Sequence, residues 1–125
     1  MKEIVILIVV LMLVFIPNVL FRKYLEMSGN ELIQIVNEMK DNLEKDLEID
    51  NEYAQKLKKD FIEKEKIWIL IVDHDMLDEI EYEVENCVAQ YSKEGIRDFI
   101  ASANRLRDEI EDLPKREEVS LANIL

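Results

Sequence analysis

The amino-acid sequence predicts an all-α protein, with an N-terminal transmembrane helix followed by an antiparallel bundle of about four helices. Three observations predict it. The segment up to Phe21 is almost wholly apolar. Later apolar residues recur every three or four positions, the spacing of one helix face. The chain has only two glycines and two prolines, whereas an all-β fold needs many turn residues.

The first segment has the length of a membrane anchor. Residues 4–16 are uninterrupted apolar sequence, and the apolar run resumes after Pro17 and Asn18 until Arg22. As a helix, residues 4–21 span about 27 Å, close to the thickness of a bilayer's hydrocarbon core. A cleaved signal peptide is the alternative, but no pair of small residues follows at cleavage spacing. We predict an uncleaved single-pass anchor with its juxtamembrane segment in residues 1–27, placed in the cell membrane.

The orientation of this anchor depends on few charges. Lys2 flanks one end, and Arg22 and Lys23 flank the other. The positive-inside rule alone slightly favours a cytoplasmic bundle. The very short N-terminal tail of an uncleaved signal anchor usually stays inside, however, so we expect the bundle on the extracytoplasmic side.

Residues 28–113 carry four apolar stripes and are predicted to form the bundle. Ser28 and Glu31 match a capping box, which predicts that a helix starts at Ser28. Gly29 then marks a hinge between anchor and bundle. The stripe of this first helix is Leu32, Val36, Met39, Leu43 and Leu47.

The second helix is predicted to start at Asp50 or Asn51, both good N-cap residues. Its stripe is interrupted by Lys64. The apolar run of residues 67–72 has the composition of a buried strand, but no other strand candidate exists to pair with it. We predict that this run is helical and covered on more than one side. The stripe consists of Ala54, Leu57, Phe61, Trp68 and Ile71.

The third helix is predicted to begin in the acidic cluster of residues 73–75, which suits a helix N-terminus. A turn at residues 92–95 follows it, with Ser92 as a cap for the fourth helix. The stripe of the third helix is Leu77, Ile80, Val84, Cys87, Val88 and Tyr91.

The fourth helix is predicted to end at Pro114, which cannot donate a helical hydrogen bond. The short connections predict an up-down bundle. Residues 114–125 then form a C-terminal tail, which we expect to pack on the bundle, with docking on a partner as the alternative. The stripe of the fourth helix is Ile96, Phe99, Ala103, Leu106, Ile110 and Leu113, and the apolar tail residues are Val119, Leu121, Ile124 and Leu125.

Charge and cysteine content exclude some classes of protein. The formal net charge is −12, nearly all of it after Arg22. Such a domain repels phosphate backbones, so we predict no nucleic-acid binding. The single cysteine cannot form an internal disulfide. Cys87 lies on an apolar stripe, where a buried thiol is expected.

The candidate residues for chemistry surround the only histidine. His74 and Asp78 would share a helix face, so His74, Asp75 and Asp78 are candidate metal ligands. A di-iron bundle needs a Glu-x-x-His motif on each of two helices, and Ile71 stands where the glutamate would be. We therefore predict no catalytic residue, no cofactor and no resident metal. His74 is interpreted as a capping or hydrogen-bonding residue of the turn.

Three features of the sequence together carry a resemblance. They are a short apolar start, Trp68 followed by the pair Asp73 and His74, and the ending at residues 117–125. With them the chain resembles a bacterial family, domain of unknown function 4363. The resemblance implies a small membrane-associated helical protein, encoded in some cases beside a multi-spanning membrane protein, and supplies no catalytic residues. Its structural signature is Trp68, Asp73, His74, Asn123, Ile124 and Leu125.

Three functions compete on these grounds. The first is a non-enzymatic membrane protein whose bundle binds another protein, either an integral-membrane partner or a second copy of the chain. The second is a membrane-anchored sensor of a small ligand or ion, with a polar cavity around Trp68 and His74. The third is a metal-dependent hydrolase using Asp73, His74, Asp75 and Asp78. It needs further ligands from another helix, for example Glu44, Glu48 or Glu109.

Overall fold

The computed structural model confirms the predicted fold class. It describes residues 1–45 and 51–124, with side chains through Lys115, and these residues form helices and no strand. The predicted stripe residue Leu47 and the alternative helix start at Asp50 lie outside the described residues. The helices are α1 (Lys2–Glu44), α2 (Asn51–Trp68), α3 (His74–Ala89) and α4 (Ile96–Ile124).

The four helices form an antiparallel up-down bundle. Each helix packs against two neighbours, so that α1 and α3 both contact α2 and α4. Glu31 of α1 pairs with Lys64 of α2. Helix α2 runs back along α1 in the opposite direction. The α2–α3 turn therefore lies at the end of the bundle where α1 enters. The rings of Tyr91 and Phe99 pack against each other in a tilted arrangement at the opposite end, where α3 turns into α4.

The first helix is continuous from the apolar segment into the bundle. The prediction that a helix starts at Ser28 is therefore wrong, because Ser28 lies inside α1. Its hydroxyl donates to the carbonyl of Tyr24 at 2.7 Å, a backbone bond that serine makes within helices as well as at caps. Pro17 also lies inside this helix, so the anchor and the bundle share one element.

Gly29 serves close packing rather than a hinge. A Cβ atom at this position would lie 2.5 Å from Cγ2 of Ile110 on α4. Real Cβ atoms do not approach a carbon this closely, so only glycine lets α1 and α4 come together here without a shift. The predicted hinge is thus a contact point.

The apolar run of residues 67–72 is helical at its start but is not covered. Trp68 and Val72 are buried, whereas Ile67 and Ile69 are each 45% exposed and Leu70 is 80% exposed. The prediction of cover on several sides is wrong because α2 ends at Trp68. The chain then turns tightly, with the N–H of Val72 donating to the carbonyl of Trp68, and the intervening side chains face outward.

The last helix continues past Pro114. The prediction that Pro114 ends it is wrong, since α4 runs to Ile124. Proline removes one helical hydrogen bond, to the carbonyl of Ile110, and the buried Pro114 side chain packs within the fold. Residues 114–124, predicted as a tail, are the last turns of this helix. The predicted packing of the tail side chains and of Leu125 concerns atoms outside the described ones.

The core is made by the predicted stripes. Most stripe residues among the described ones are buried, although Ile71, Val88 and Ile96 are only half-buried. Full burial of a large apolar side chain stabilises a fold by about 1.5–3 kcal/mol. The side chains at 0% exposure are Leu32, Met39, Leu57, Trp68, Ile80, Cys87, Phe99, Leu106 and Leu113.

The contact of Gly29 with Ile110 predicts that the effect of Gly29→Ala on stability depends on the residue at position 110. Alanine is favoured over glycine inside a helix by about 0.5–1 kcal/mol, but here it overpacks the α1–α4 contact. We expect Gly29→Ala to lower the free energy of unfolding in the natural chain and to raise it by about 0.5–1 kcal/mol in an Ile110→Ala background. Urea unfolding in detergent micelles, followed by circular dichroism, measures both. Equal effects in the two backgrounds would contradict the contact.

Candidate functional site

Trp68 forms a buried corner where α2 meets α1. The helical spacing of α2 turns Trp68 inward, and its side chain is 0% exposed. The indole N–H donates to Oγ of Ser28 at 2.9 Å, and the Phe61 ring meets the indole edge-on at 6.4 Å between centroids. A buried indole needs a hydrogen-bond acceptor. Ser28 supplies it at the junction between the apolar segment and the bundle.

Lys64 lies one turn before this corner and carries a paired charge. Its side chain is 9% exposed, and the ammonium lies 2.6 Å from Glu31 and 3.0 Å from Asp60. Burial lowers the pKa of Lys64, but the hydrogen bonds to Glu31 and Asp60 outweigh it, so the pKa is raised. The lysine that interrupts the predicted stripe therefore stays charged and ties α2 to α1.

The acidic cluster lies at the start of α3 and leaves His74 exposed. Asp73 is the N-cap residue, with extended backbone at φ −60° and ψ 139° and no side-chain capping bond. His74 is the first residue of the helix and is exposed. Its imidazole makes no hydrogen bond or ion pair with the described part of the chain. The predicted hydrogen-bonding role of His74 is thus not found there.

The candidate metal ligands do not assemble into a site. Asp75 and Asp78 are exposed on α3 beside His74. Within residues 1–45 and 51–115, no group of three or more His, Cys, Asp or Glu side chains is placed to bind a metal ion. Of the additional ligands considered, Glu48 lies outside the described residues.

A polar cluster between α3 and α4 escaped the sequence analysis. Arg105 Nε donates to the buried Glu83 Oε1 at 3.0 Å, and Arg105 Nη2 donates to Ser102 Oγ at 3.2 Å. Oε2 of Glu83 is buried and has no partner among the described residues. The signal was present, because Glu83 falls on the apolar stripe between Ile80 and Cys87. A charge at such a position needs a partner on a facing helix.

A shallow polar groove of about 220 Å³ lies beside this cluster. Asn86, Gln90, Ser102 and Arg105 are among the residues that line it. Oε1 of Gln90 is buried without a partner among the described residues. Ordered water is the ordinary occupant of such a groove, since ordered waters commonly satisfy buried polar atoms.

Cys87 is buried beside Glu83 and is chemically quiet. Burial, followed by the charge of Glu83, raises the pKa of the Cys87 thiol to about 12, and Arg105 opposes this only in part. The thiolate is the nucleophilic form of cysteine. At neutral pH Cys87 is therefore a protonated core residue, as its place on the stripe predicts.

The fold and these contacts define an acidic four-helix bundle carried on a long apolar helix. The family model of the domain of unknown function DUF4363 matches residues 19–124, and the chain belongs to this family. The predicted resemblance is confirmed. No curated protein and no solved structure matches the chain. The match spans the bundle and omits most of the apolar segment. Five of the six signature residues lie inside it, and Leu125 lies beyond it.

The Trp68 corner predicts a stability effect of Ser28→Ala. This change leaves the indole N–H buried without an acceptor, which costs about 1–3 kcal/mol of unfolding free energy. In a Trp68→Phe background the same change should cost almost nothing, since no N–H remains. His74→Ala is the matched control, and we expect it to alter stability by less than about 0.5 kcal/mol. An equal cost of Ser28→Ala in both backgrounds would exclude the bond.

The raised pKa of Cys87 predicts a protected thiol. We expect iodoacetamide to leave the native protein unlabelled at pH 8 and to label it fully in urea, as mass spectrometry would show. Because the folded pKa is raised, stability should fall as the pH rises above the unfolded value of about 8.5. Rapid labelling of the native protein would show that Cys87 is accessible.

Proposed function

We propose that this protein is a non-enzymatic, single-pass membrane protein whose acidic bundle binds another protein at the membrane. One observation carries the proposal: α1 is a single helix, long and apolar enough to cross a membrane, that continues into the bundle core. None of its apolar 18-residue window is buried by the rest of the chain. A tethered bundle with a filled core is suited to contact through its outer surface.

The exposure of the apolar segment supports the membrane part of this proposal. Each large apolar side chain from Ile4 to Ile16 is more than 40% exposed. Contiguous apolar surface of this extent is unfavourable in water and is typical of membrane or partner contact. Arg22 and Lys23 follow the segment, as expected where a helix leaves the hydrocarbon.

The contacts at Trp68 favour a binding module over the sensor. The sensor hypothesis needs a polar cavity around Trp68 and His74. Trp68 is completely buried, its only polar atom is bonded to Ser28, and His74 faces solvent. The hydrolase hypothesis needs a ligand cluster that the described residues do not form.

The outer face of α2 is the contact surface that we propose for a protein partner. Ile62 is 45% exposed at its centre. It lies in an open groove that Lys58, Lys59 and Lys66 line together with Gln55 and Glu63. We call Ile62 and the three lysines the α2 lysine face, and its three positive charges outnumber the one carboxylate of Glu63. On a chain of net charge −12, a positive face with an apolar centre is complementary to an acidic surface. An acidic integral-membrane partner and the acidic surface of a second copy both meet this description.

Photo-cross-linking in intact cells tests the proposal. A photoreactive amino acid at Ile62 should give a reproducible adduct, and the same group at Tyr82 should not. Tyr82 is a matched control because it is a 63% exposed side chain on α3. Charge reversal by Lys58→Glu and Lys59→Glu should abolish the adduct. An adduct of twice the chain mass identifies self-association, and a different mass identifies the partner by mass spectrometry.

Two outcomes would count against the proposal. No adduct from Ile62 above the unirradiated background would remove the α2 lysine face as a contact surface. Recovery of the full-length protein in the soluble fraction after cell lysis would refute the proposal that the apolar segment is a membrane anchor. A variant that lacks residues 121–125 and carries the photoreactive group at Ile62 tests whether the end of the chain contributes. Loss of the adduct in this variant would assign the contact to both the α2 lysine face and residues 121–125.

A further inference from the structure

We propose that the α2–α3 turn is a second membrane contact. In this proposal the turn tip, defined as Ile67, Ile69 and Leu70, inserts into the headgroup layer of the same bilayer that holds α1. The proposal rests on the membrane anchor in the proposed function and adds a lipid-binding surface to the bundle itself.

Exposed apolar side chains concentrate at one end of the bundle. Beyond the apolar segment, the described residues hold six exposed large hydrophobic side chains. Four of them, Met27 and the three residues of the turn tip, lie at the end of the bundle where α1 enters. The other two are Ile62 and Tyr82. Leu70 is the most exposed of these six, at 80%. A clustered apolar patch of this kind marks an interaction site rather than an ordinary surface.

The position of the turn relative to the apolar segment favours lipid as the occupant. Trp68 is level with Ser28, since the two side chains are hydrogen-bonded. Ser28 lies seven residues beyond Phe21, which is about 10 Å along a helix axis. The chain continues past Trp68 in the direction of the apolar segment. Leu70 is thereby brought to about 7–8 Å from the level of Phe21, and the headgroup layer is itself about 5–8 Å thick.

The backbone N–H groups of the turn are hydrogen-bonded within the chain, which suits a poorly hydrated layer. The N–H groups of residues 69–72 all donate to backbone carbonyls, those of Glu65, Ile67 and Trp68, at 2.7–3.1 Å. Unsatisfied backbone groups are what excludes irregular chain from lipid. The N–H groups of this turn meet the constraint, and its exposed side chains are apolar. Its carbonyl groups suit the headgroup layer, where water remains available as a donor, and not the hydrocarbon core.

The charges near the turn identify the kind of lipid contact. Asp73 and Asp75 follow the turn tip and are exposed, whereas Lys66 precedes it. This arrangement offers little attraction to anionic headgroups. The contact is therefore apolar insertion, and it should be as strong in zwitterionic as in anionic bilayers. Half-buried Tyr24, close to Arg22 and Lys23 on α1, marks the same interfacial level.

Lipid quenching of a site-specific fluorophore tests this proposal. Single cysteines replace Leu70, Tyr82 or Met12 in the full chain and carry an environment-sensitive dye. Buried Cys87 remains, and the unsubstituted chain controls for its labelling. Each protein is reconstituted into phosphatidylcholine nanodiscs containing lipids spin-labelled near the headgroup. We expect severalfold quenching and a blue shift for the dye at residue 70, with neither at residue 82. Adding phosphatidylglycerol should not change this result.

The dye at residue 12 separates failure of this proposal from failure of the anchor. If lipids spin-labelled deep in the acyl chain quench residue 12 while residue 70 behaves like residue 82, the anchor stands and the turn contact is refuted. If residue 12 is not quenched either, the anchor itself is refuted. Protection of residue 70 in native membranes, without quenching in nanodiscs, would assign the turn to a protein partner and overturn the lipid contact.

Discussion

The bundle depends on how one helix, α1, is held at the point where it changes from exposed apolar segment to packed core. Three contacts act there within a few residues. The indole N–H of Trp68 bonds to Ser28, Gly29 allows α4 to approach α1, and Lys64 pairs with Glu31. Each contact comes from a different partner side chain, and together they fix the register of α1 against both of its neighbours.

Buried charges repeat this logic on the other side of the bundle. Lys64 links α1 to α2, and Glu83 with Arg105 links α3 to α4. A buried charge stabilises little when paired but costs several kcal/mol when its partner is removed. Such pairs therefore act against alternative registers more than they add to net stability. A slip of these helices by one turn would separate Lys64 from Glu31 and Glu83 from Arg105.

The sequence was sufficient for the parts of the fold that follow from periodicity. The stripes gave the helices and most of the core, and Asp73 marked the start of α3. Failures came at residues whose local signal fits more than one structure. Ser28 reads as a cap but bonds backward to Tyr24, and Pro114 reads as a stop but lies inside α4. The apolar residues beyond Trp68 read as core because hydrophobicity alone cannot distinguish burial in protein from exposure at an end of the bundle.

The candidate site was predicted less completely, for a related reason. Periodicity placed Trp68 inside, but its acceptor Ser28 lies forty positions away and could not be inferred from spacing. Glu83 and Ser102 occupy stripe positions, so a polar contact was detectable in principle. Its partner Arg105 is on another helix and 56% exposed in its side chain, which gives no local signal. As the single histidine of the sequence, His74 suggested a metal-binding or catalytic role, yet the structure places it on the surface.

The absence of a break between the apolar segment and the bundle makes α1 a lever. From Phe21 to Glu44 the helix extends about 34 Å beyond the apolar segment. Membrane-spanning helices differ in tilt by tens of degrees with bilayer thickness and neighbours. With the apolar segment in a bilayer, as we propose, a change of only about 10° in the tilt of this helix would swing its far end by about 6 Å. The bundle would move with it as one body, so the thickness of the bilayer would become a displacement at the protein's outermost surface.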